Sequence, residues 1–391
     1  RDHLMGRQPK DYDVATSAAV EQTIAAFEGF RVIETGVKHG TVTVLSEGMP
    51  VEVTTYRIDG CYSDGRHPDS VVFSDDIRQD LSRRDFTVNA MAYSPQRGFL
   101  DLFCGRNDLR SGVIRCVGDP STRFGEDALR ILRAMRFSSV LEFEIEPATG
   151  KAIHEGKELL SRIAVERITQ ELLGILSGKG AAEVLRSFSD VMAQVIPPCG
   201  AMFGFEQRNP HHDYDVWEHT VRVVSAAPPD RVLRLAALLH DIGKPECFTV
   251  DRNGVGHFYG HAAVSERIAR EVFSKYIRTD RRTSDEVTLL VGHHDEQLIP
   301  DRKIIRRRLS KYGEETLRRL IALQKADCAG QSERSKESAG ALDETEAILN
   351  ELAGENACVT LQGLAIKGGD LMAMGIPKGP LGGRSPKALL A

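Results

Sequence analysis

The stretch TVTVLSEGMPVEVTTY, residues 41–56, contains two runs in which apolar and polar side chains alternate. Alternation with a period of two is typical of β-strands that bury one face. The residues between the runs, 46–50, include Gly48 and Pro50, which favour a turn. The stretch therefore predicts a β-hairpin. Because similar short runs and turns fill residues 1–117, we predict an α+β head domain there.

The pattern changes after residue 118, where apolar residues recur at intervals of three and four, as in 119–137 and 166–177. This periodicity predicts helices. A stretch rich in proline, glycine and aromatic residues, 195–210, then precedes a histidine-rich helical region. We predict an all-α neck at 118–195, a second all-α domain at 211–330 and a C-terminal tail at 331–391.

The composition is that of an ordinary soluble globular protein, with 391 residues, 41% apolar residues, 27% charged residues and a net charge of −5. No apolar run reaches the roughly 18 residues of a membrane span, and the start lacks a signal-peptide pattern, so we expect a cytoplasmic protein without membrane contact. The seven cysteines never form a CxxC pair, which argues against a disulfide framework or a thiolate zinc site.

Two aspartates in DYDVAT, Asp11 and Asp13, are two residues apart. On a strand both carboxylates project from the same face, where they would need a cation. Oxygen ligands of this kind suit Mg²⁺, which can also bind nucleotide phosphates. Glu52 points away from Val51 and Val53 in the second run and is a candidate third carboxylate, although a surface glutamate explains it equally well.

Two arginines in RRDFTVNAMAY, residues 83–93, are suited to a triphosphate because planar guanidinium groups match phosphate oxygens. The alternative is an exposed pair of arginines bound to Asp80 and Asp85.

The segment EDALRILRAMRF, residues 126–137, places an acid and three arginines at intervals of three, next to a row of apolar residues. These charged residues are Asp127, Arg130, Arg133 and Arg136. One interpretation is a solvated amphipathic helix with an Asp127–Arg130 pair. The other is a helix whose Asp127 and Arg130 contact the edge of a base, since a carboxylate accepts from the amino groups of cytosine and adenine but not from uracil or guanine.

Together these motifs resemble the class II tRNA nucleotidyltransferases, the CCA-adding enzymes of the DNA polymerase β superfamily. The resemblance extends over RDHLMGRQPKDYDVATSA, TGVKHGTVTV, VEVTTYRIDGCYSDGRHPDSVVF, RRDFTVNAMAY and DPSTRFGEDALRILRAMRF, in this order. It implies a polymerase β-like head with a mixed or antiparallel sheet, catalytic Mg²⁺ on Asp11 and Asp13, and a tRNA substrate extended with CTP and ATP. The positions that match the family's nucleotide-binding residues are Arg1, Arg84, Asp127, Arg130, Arg133 and Arg136.

The resemblance also bears on which nucleotides are added. DGCYSDGRHPDSVVF corresponds to the family's flexible loop, which members that add only C lack, so it favours a member that adds A. The Gly-Gly pair and valine that precede the family's Arg-Asp motif are not part of this chain, which starts at Arg1. Addition of A alone, and a poly(A) polymerase, stay open as alternatives.

Eight of the twelve histidines lie between residues 211 and 294, a concentration that points to metal binding. His240 and Asp241 end an apolar helix, where neighbouring polar groups need a cation or hydrogen bonds. With His219 and Asp327 they resemble the H…HD…D ligand set of HD-domain metal phosphohydrolases. His261, His293 and His294 are expected to complete a second site, and the ligand types suit Mn, Fe, Ni or Co.

The HD domain implies an activity on phosphate groups at RNA ends, which is the basis of an alternative of another class: a phosphohydrolase whose head only binds RNA. The segment 301–320 holds eight lysines and arginines and predicts an amphipathic helix with a basic face, either solvated or in contact with RNA. Nothing in the sequence indicates an oligomeric state.

Overall fold

The computed structural model describes residues 1–9, 11–60, 70–209, 213–331 and 336–355, without the side chains of 336–339. The chain packs as two compact units, residues 1–180 and residues 181–391. None of the helices in these described stretches combines the length and the apolar character needed to cross a membrane.

The first unit holds small sheets followed by helices. Its strands are β1 (Tyr12–Thr16), β2 (Arg31–Ile33), β3 (Thr41–Ser46), β4 (Met49–Thr55), β5 (Arg57–Asp59), β6 (Val71–Phe73), β7 (Met91–Ser94), β8 (Gly98–Asp101), β9 (Val113–Ile114) and β10 (Glu144–Ile145). Its helices are α1 (Val20–Ala26), α2 (Ile77–Ser82), α3 (Gly105–Ser111), α4 (Pro120–Glu126), α5 (Leu129–Leu141), α6 (Pro147–Gly156) and α7 (Val165–Ser177).

The main sheet of this unit has the strand order β1-β4-β3-β2, with β1 parallel to β4 and the other pairs antiparallel. The predicted hairpin is β3–β4, and its turn is shorter than the sequence indicated. Only Glu47 and Gly48 lie between the strands, with φ angles of 50° and 81°. Two successive positive φ angles are typical of a type I′ turn, which matches the twist of the strands.

One face of the sheet is apolar and packs on α1. Val42, Val44 and Val53 are buried there against Val20, with Ile24 and other partly buried side chains around them. Because side chains alternate along a strand, the opposite face carries the residues between these valines.

The segment 126–137 differs from the predicted continuous helix. Asp127 is extended, with φ −141° and ψ 103°, so α4 ends before it and α5 starts at Leu129. The apolar row of α5 is buried, including Ile131, Leu132 and Met135. The α+β head followed by a helical region, as the sequence predicted, is confirmed.

The second unit is almost entirely helical. Its helices are α8 (Ala181–Ser187), α9 (Ser189–Val195), α10 (Val216–Ala226), α11 (Arg231–Leu239), α12 (Lys244–Cys247), α13 (His261–Lys275), α14 (Arg281–His293), α15 (Arg302–Tyr312), α16 (Glu314–Gly330) and α17 (Lys336–Gly354), and a small antiparallel pair joins β11 (Thr249–Val250) to β12 (Gly256–His257).

Helix α11 is the centre of this unit, since all its residues from Val232 to Leu239 are buried. Helices α10, α14 and α16 pack around it. The basic stretch 301–320 is not one helix, because Gly313, with φ 78°, separates α15 from α16.

Candidate active sites

The head carboxylates lie in a row across the polar face of the main sheet. Asp13 is directly opposite Glu52 in the parallel β1–β4 register, and Glu52 is opposite Thr43 on β3. Asp11 lies just before β1, which begins at Tyr12, and a continued alternation would put its side chain on the same face as that of Asp13. The register therefore places Glu52 beside the aspartates, as the hypothesis of a third carboxylate requires.

These three carboxylates are exposed, and no basic side chain of the described residues comes within 4.0 Å of them. The ligand atoms of Asp11, Asp13 and Glu52 are not among the groups of the described chain that converge to within 4.8 Å. Three anions on one face without a cation are a donor set that fits a hard divalent ion. The head site is thus open, and a cation would draw its ligands together.

Arg1 and Arg84 both contact Asn89, one at its side chain and the other at its backbone. Arg1 donates from Nη1 to the Asn89 side-chain oxygen (3.0 Å), and Arg84 donates to the Asn89 carbonyl (3.5 Å) and to Asp80 (3.5 Å). The Nε of Arg84 is buried without a hydrogen-bond partner. An unpaired buried N–H costs free energy, so the Arg84 side chain would be stabilised by turning this donor toward an acceptor such as a phosphate oxygen.

The alternative pairing predicted for residues 83–85 is partly formed. Arg83 and Arg84 both contact Asp80 (2.6 and 3.5 Å), but Asp85 binds Arg133 instead (2.6 Å). Burial raises the pKa of Asp85, but the charge and hydrogen bonds of Arg133, with further hydrogen bonds, outweigh it and hold the pKa below the usual value.

The stripe on α5 is ion-paired within the protein. Arg130 contacts Glu126 (2.6 Å) and Arg136 contacts Glu171 (2.6 Å), in addition to the Arg133–Asp85 pair. The expected Asp127–Arg130 pair is not formed, because Arg130 has this closer partner one residue earlier. Each arginine is thus held in place by a carboxylate, which fixes the position of its guanidinium group.

Asp127 is oriented by two donors. Its Oδ1 accepts from the Leu129 N–H (3.0 Å) and its Oδ2 accepts from Arg167 (3.0 Å). No sequence pattern pointed to Arg167, which is on α7, 40 residues away. With both oxygens partly engaged, the direction of the remaining lone pairs is set before any base arrives.

The second site lies where α10, α11 and α16 meet. The Nε2 of His219 is 2.9 Å from Asp327 and 3.2 Å from the Oδ2 of Asp241. The Nε2 of His240 is 3.2 Å from the same Asp241 oxygen and 3.2 Å from the Nε2 of His219. The four residues of the predicted H…HD…D set therefore converge. Asp327 keeps 21% of its side chain exposed, which leaves the cluster open to solvent there.

The backbone fixes the orientation of the imidazoles. His219 directs Nδ1 at the Gly330 carbonyl (3.2 Å), and His240 directs Nδ1 at the Ala237 carbonyl (2.8 Å). A donating Nδ1–H leaves the lone pair of Nε2 for a metal. Gly330 has to be glycine, because a Cβ there would lie 2.7 Å from Val223.

Two further histidines form a second group around the other oxygen of Asp241. His261 and His294 place Nε2 at 3.4 and 3.5 Å from Asp241 Oδ1 and at 3.1 Å from each other. Their Nδ1 atoms are directed at the carbonyls of Phe258 and Val291. Asp241 thus links two groups of potential ligands.

The donor set of both groups fits metal ions. Asp241 Oδ1 is buried without a hydrogen-bond partner. When the Nδ1 atoms donate, the Nε2 lone pairs of His219 and His240 face each other, and so do those of His261 and His294. Such an arrangement is unfavourable unless a cation lies between the atoms. A proton competes with a metal ion for these lone pairs: burial lowers the pKa of His240, but Asp241 and Asp327 outweigh it and raise the pKa to about 10.

His293 does not join this cluster, which corrects the expectation for this residue. It is one position before His294 on the helix and therefore points elsewhere. Its Nδ1 is 2.8 Å from Glu296, and a third of the side chain is exposed.

Two residues of the second site were missed. Lys244 is buried and contacts Asp241 Oδ2 (2.7 Å), and Gln207 accepts from Lys244 (2.8 Å). The signal in the sequence that could have identified Lys244 was its position three residues after Asp241.

Three family models match the chain. Residues 1–115 match the poly A polymerase head domain, residues 142–191 match a probable RNA and SrmB-binding site of polymerase A, and residues 214–329 match the HD domain. Residues 1–115 are thus similar to a poly A polymerase head domain, and residues 214–329 are similar to an HD domain. The first of these matches includes the head carboxylates, and the second includes the histidine cluster.

The curated relatives are CCA-adding enzymes. That of Ligilactobacillus salivarius is 45% identical over 190 residues, which is 49% of this chain and 46% of the relative. That of Bacillus licheniformis is 45% identical over 190 residues, 49% of this chain and 47% of the relative. The chain thus spans about half the length of the curated relatives it matches.

Solved structures match over the whole chain. The CCA-adding enzyme of Bacillus stearothermophilus in complex with CTP has a TM-score of 0.71 and 29% identity, covering 100% of this chain and 85% of the other. The Thermotoga maritima CCA-adding enzyme complexed with tRNA has a TM-score of 0.61 and 21% identity, covering 100% and 83%, and shows the fold alone. These findings confirm the resemblance to class II tRNA nucleotidyltransferases with an HD domain.

Proposed function

We propose that this chain adds C, C and A to the 3′ ends of tRNA from CTP and ATP, as a template-independent nucleotidyltransferase of the cytoplasm. The observation that carries the proposal is the register of β1 and β4, in which Glu52 lies opposite Asp13 on an exposed face. Its support is the pair of arginines at Asn89 and the ion-paired arginines of α5 in the same compact unit.

The head residues would hold a divalent metal, which we take to be Mg²⁺, on Asp11, Asp13 and Glu52. When bound, such ions lower the pKa of an attacking hydroxyl and stabilise the charge of the leaving group. Arg1 and Arg84 bind the triphosphate, with the unpaired Nε of Arg84 as one donor. The terminal 3′-oxygen of tRNA forms a bond to the α-phosphorus, and the bond to pyrophosphate breaks.

Base selection falls to Asp127 and Arg130, with Arg133 and Arg136 on the phosphate side. A carboxylate held by Arg167 and the Leu129 N–H directs its lone pairs at the amino group of cytosine or adenine. Uracil and guanine would present an oxygen there and leave two acceptors facing each other. Selection of C and A then needs no nucleic-acid template.

The HD domain adds a phosphoesterase activity that removes 3′-phosphate or opens 2′,3′-cyclic phosphate at RNA ends. His219, His240, Asp241 and Asp327 would hold one ion and Asp241, His261 and His294 another, of Mn, Fe, Ni or Co. Such ions activate water for attack on phosphorus. The water oxygen bonds to phosphorus, a phosphorus–ribose oxygen bond breaks, and the ribose oxygen takes the proton.

The test offers the protein three tRNAs, ending at the discriminator base, after C or after CC, with labelled nucleotides singly and with CTP and ATP together. Two C and one A added to the shortest tRNA is the expected product. A single A on the CC end alone would identify an A-adding enzyme, and long A tails a poly(A) polymerase. The loop on which this choice depends, residues 59–73, lies mostly outside the described residues. No incorporation would leave the HD phosphohydrolase as the function.

A further inference from the structure

A turn joins an exposed tyrosine to the second group of histidines. The His261 N–H donates to the Phe258 carbonyl (3.1 Å), which closes a four-residue turn. Gly260 has φ 75° and ψ 13°, as the third residue of a type II turn does. The Nδ1 of His261 is directed at the same carbonyl (2.9 Å). Tyr259 is therefore the second residue of a turn whose fourth residue belongs to the metal cluster.

The ring of Tyr259 is held on one face and open on the other. It is 78% exposed, yet it stacks on His257 with the ring planes 9° apart and the centroids 5.2 Å apart. His257 Nε2 donates to Asp251 (3.2 Å), and the Tyr259 hydroxyl donates to His257 Nδ1 (3.3 Å). The chain Asp251–His257–Tyr259 thus fixes the orientation of an exposed aromatic ring.

The backbone of Tyr259 lies within the length of one nucleotide of His261. Two residues of chain separate the Cα atoms of Tyr259 and His261 by at most about 7 Å. That separation is comparable with the length of a nucleotide from its base to its 3′-phosphate. Aromatic rings bind any of the bases by stacking, because every base has a π-face.

We propose that Tyr259 is the platform on which the terminal base of an RNA stacks while its 3′-phosphate lies at the His–Asp cluster. The proposal rests on the phosphoesterase function proposed for the HD domain. It names the substrate class of that site: RNA 3′ ends with any base, in preference to phosphate esters without a base. Tyr259 is then a specificity residue that acts through binding and leaves the chemical step to the cluster.

The chain offers a matched control in the head. Tyr93, on β7, is 71% exposed but belongs to the other compact unit. Replacing it removes a comparable exposed ring without touching the turn at His261.

The experiment uses the full chain and its variants Tyr259→Leu, Tyr259→Phe and Tyr93→Leu. The first substrate is a short RNA ending in 2-aminopurine riboside 3′-phosphate, and the second is the same RNA with an abasic 3′-phosphate end. Phosphate release is measured with added Mn²⁺. The fluorescence of 2-aminopurine, which falls on stacking, is measured separately with Mn²⁺ and the same RNA ending in an uncleavable 3′-methylenephosphonate, so that the cluster keeps the cations that hold the phosphate. A mononucleotide with the same base tests whether the rest of the RNA matters.

We expect Tyr259→Leu to raise KM about tenfold for the base-carrying end with little change in kcat, and to leave the abasic end unaffected. The fluorescence decrease is expected to be lost in Tyr259→Leu and kept in Tyr259→Phe and Tyr93→Leu. Equal effects of Tyr259→Leu on both ends, or an unchanged fluorescence decrease, would overturn the inference. If either of these results occurs while the wild type still releases phosphate, the proposed phosphoesterase function stands and only the role of Tyr259 is overturned. A Tyr259-dependent fluorescence decrease without phosphate release would instead overturn the phosphoesterase function.

Discussion

The two proposed metal-ligand sets of this chain are built in opposite ways. The head carboxylates are exposed on a sheet face and spread along two strands, whereas the histidine cluster is buried and its imidazoles are oriented by backbone carbonyls. In the head the oriented groups are the arginines and Asp127, which would contact the nucleotide. The fold alone thus brings the histidine cluster together, whereas it leaves the head carboxylates on an exposed face.

The largest expected effect is on the open site. Asp13→Asn should reduce nucleotide addition about 10³-fold or more, because the lost charge contributes several kcal/mol through the bound metal. Initial rates of labelled CTP incorporation into tRNA measure this. Because Asp13 is exposed, the thermal midpoint should stay close to that of the wild type. A rate within tenfold of the wild type would contradict the assignment.

The Asp85–Arg133 pair tests whether the head arginines are held as firmly as the histidines. Asp85→Asn leaves Arg133, whose side chain is 35% exposed, without its carboxylate, and the loss of a charge-assisted hydrogen bond costs about 1.5–3 kcal/mol of unfolding free energy. The folded pKa of Asp85 is lowered, so its stabilisation is present above about pH 4 and is lost as the pH falls through the folded pKa.

Urea unfolding from pH 7 to 3 measures this, and the difference between wild type and Asp85→Asn should shrink in the acid range. The exposed pair Arg270–Glu266 serves as the control, since Glu266→Gln should cost less than about 0.5 kcal/mol. Equal costs for the two substitutions would mean that Arg133 is no better fixed than a surface side chain.

Base selection tests a carboxylate that the protein orients, Asp127, in contrast to the exposed carboxylates of the head. Asp127→Ala should reduce the preference for CTP over UTP about 10²-fold, since no acceptor then opposes the uracil oxygen. Arg167→Met should cause part of the same loss by releasing Asp127. Ratios of kcat/KM for the two nucleotides give the result, and an unchanged ratio in Asp127→Ala would assign selection to other residues.

The smallest effect concerns metal content in the HD domain. His261→Gln should lower the bound metal from two ions to one per chain, because it removes a ligand of the second group only. His293→Gln is the control and should keep both ions, since that side chain binds Glu296. Elemental analysis after dialysis against Mn²⁺ distinguishes the two variants. The same loss of metal in both would mean that His293 is also a metal ligand.

Much of this architecture could be predicted from the sequence. The alternation in 41–56 fixes the hairpin and tells which residues share a face, so the position of Glu52 beside Asp13 followed once the strands were paired. The histidine set was found because its residue types and order are specific. These signals are local in the chain or depend on side-chain chemistry.

The rest depended on geometry that no short stretch encodes. The extended Asp127 divides a segment whose helical periodicity continues across it, and its partner Arg167 comes from another helix. The role of Asp241 as a link between two groups, and the exclusion of His293, follow from how α11, α13 and α14 are packed together. Lys244 is buried against Asp241, although lysine in a sequence usually indicates surface.

The most direct test of two sites with separate chemistry is a tRNA that ends after CC with a 3′-phosphate, incubated with labelled ATP. The wild type should release phosphate and then add A. Asp13→Asn should release phosphate and add nothing, and Asp241→Asn should add A only to a tRNA that already ends in a hydroxyl. Addition of A to the phosphate-ended tRNA by Asp241→Asn, or failure of the wild type on both ends, would contradict the account.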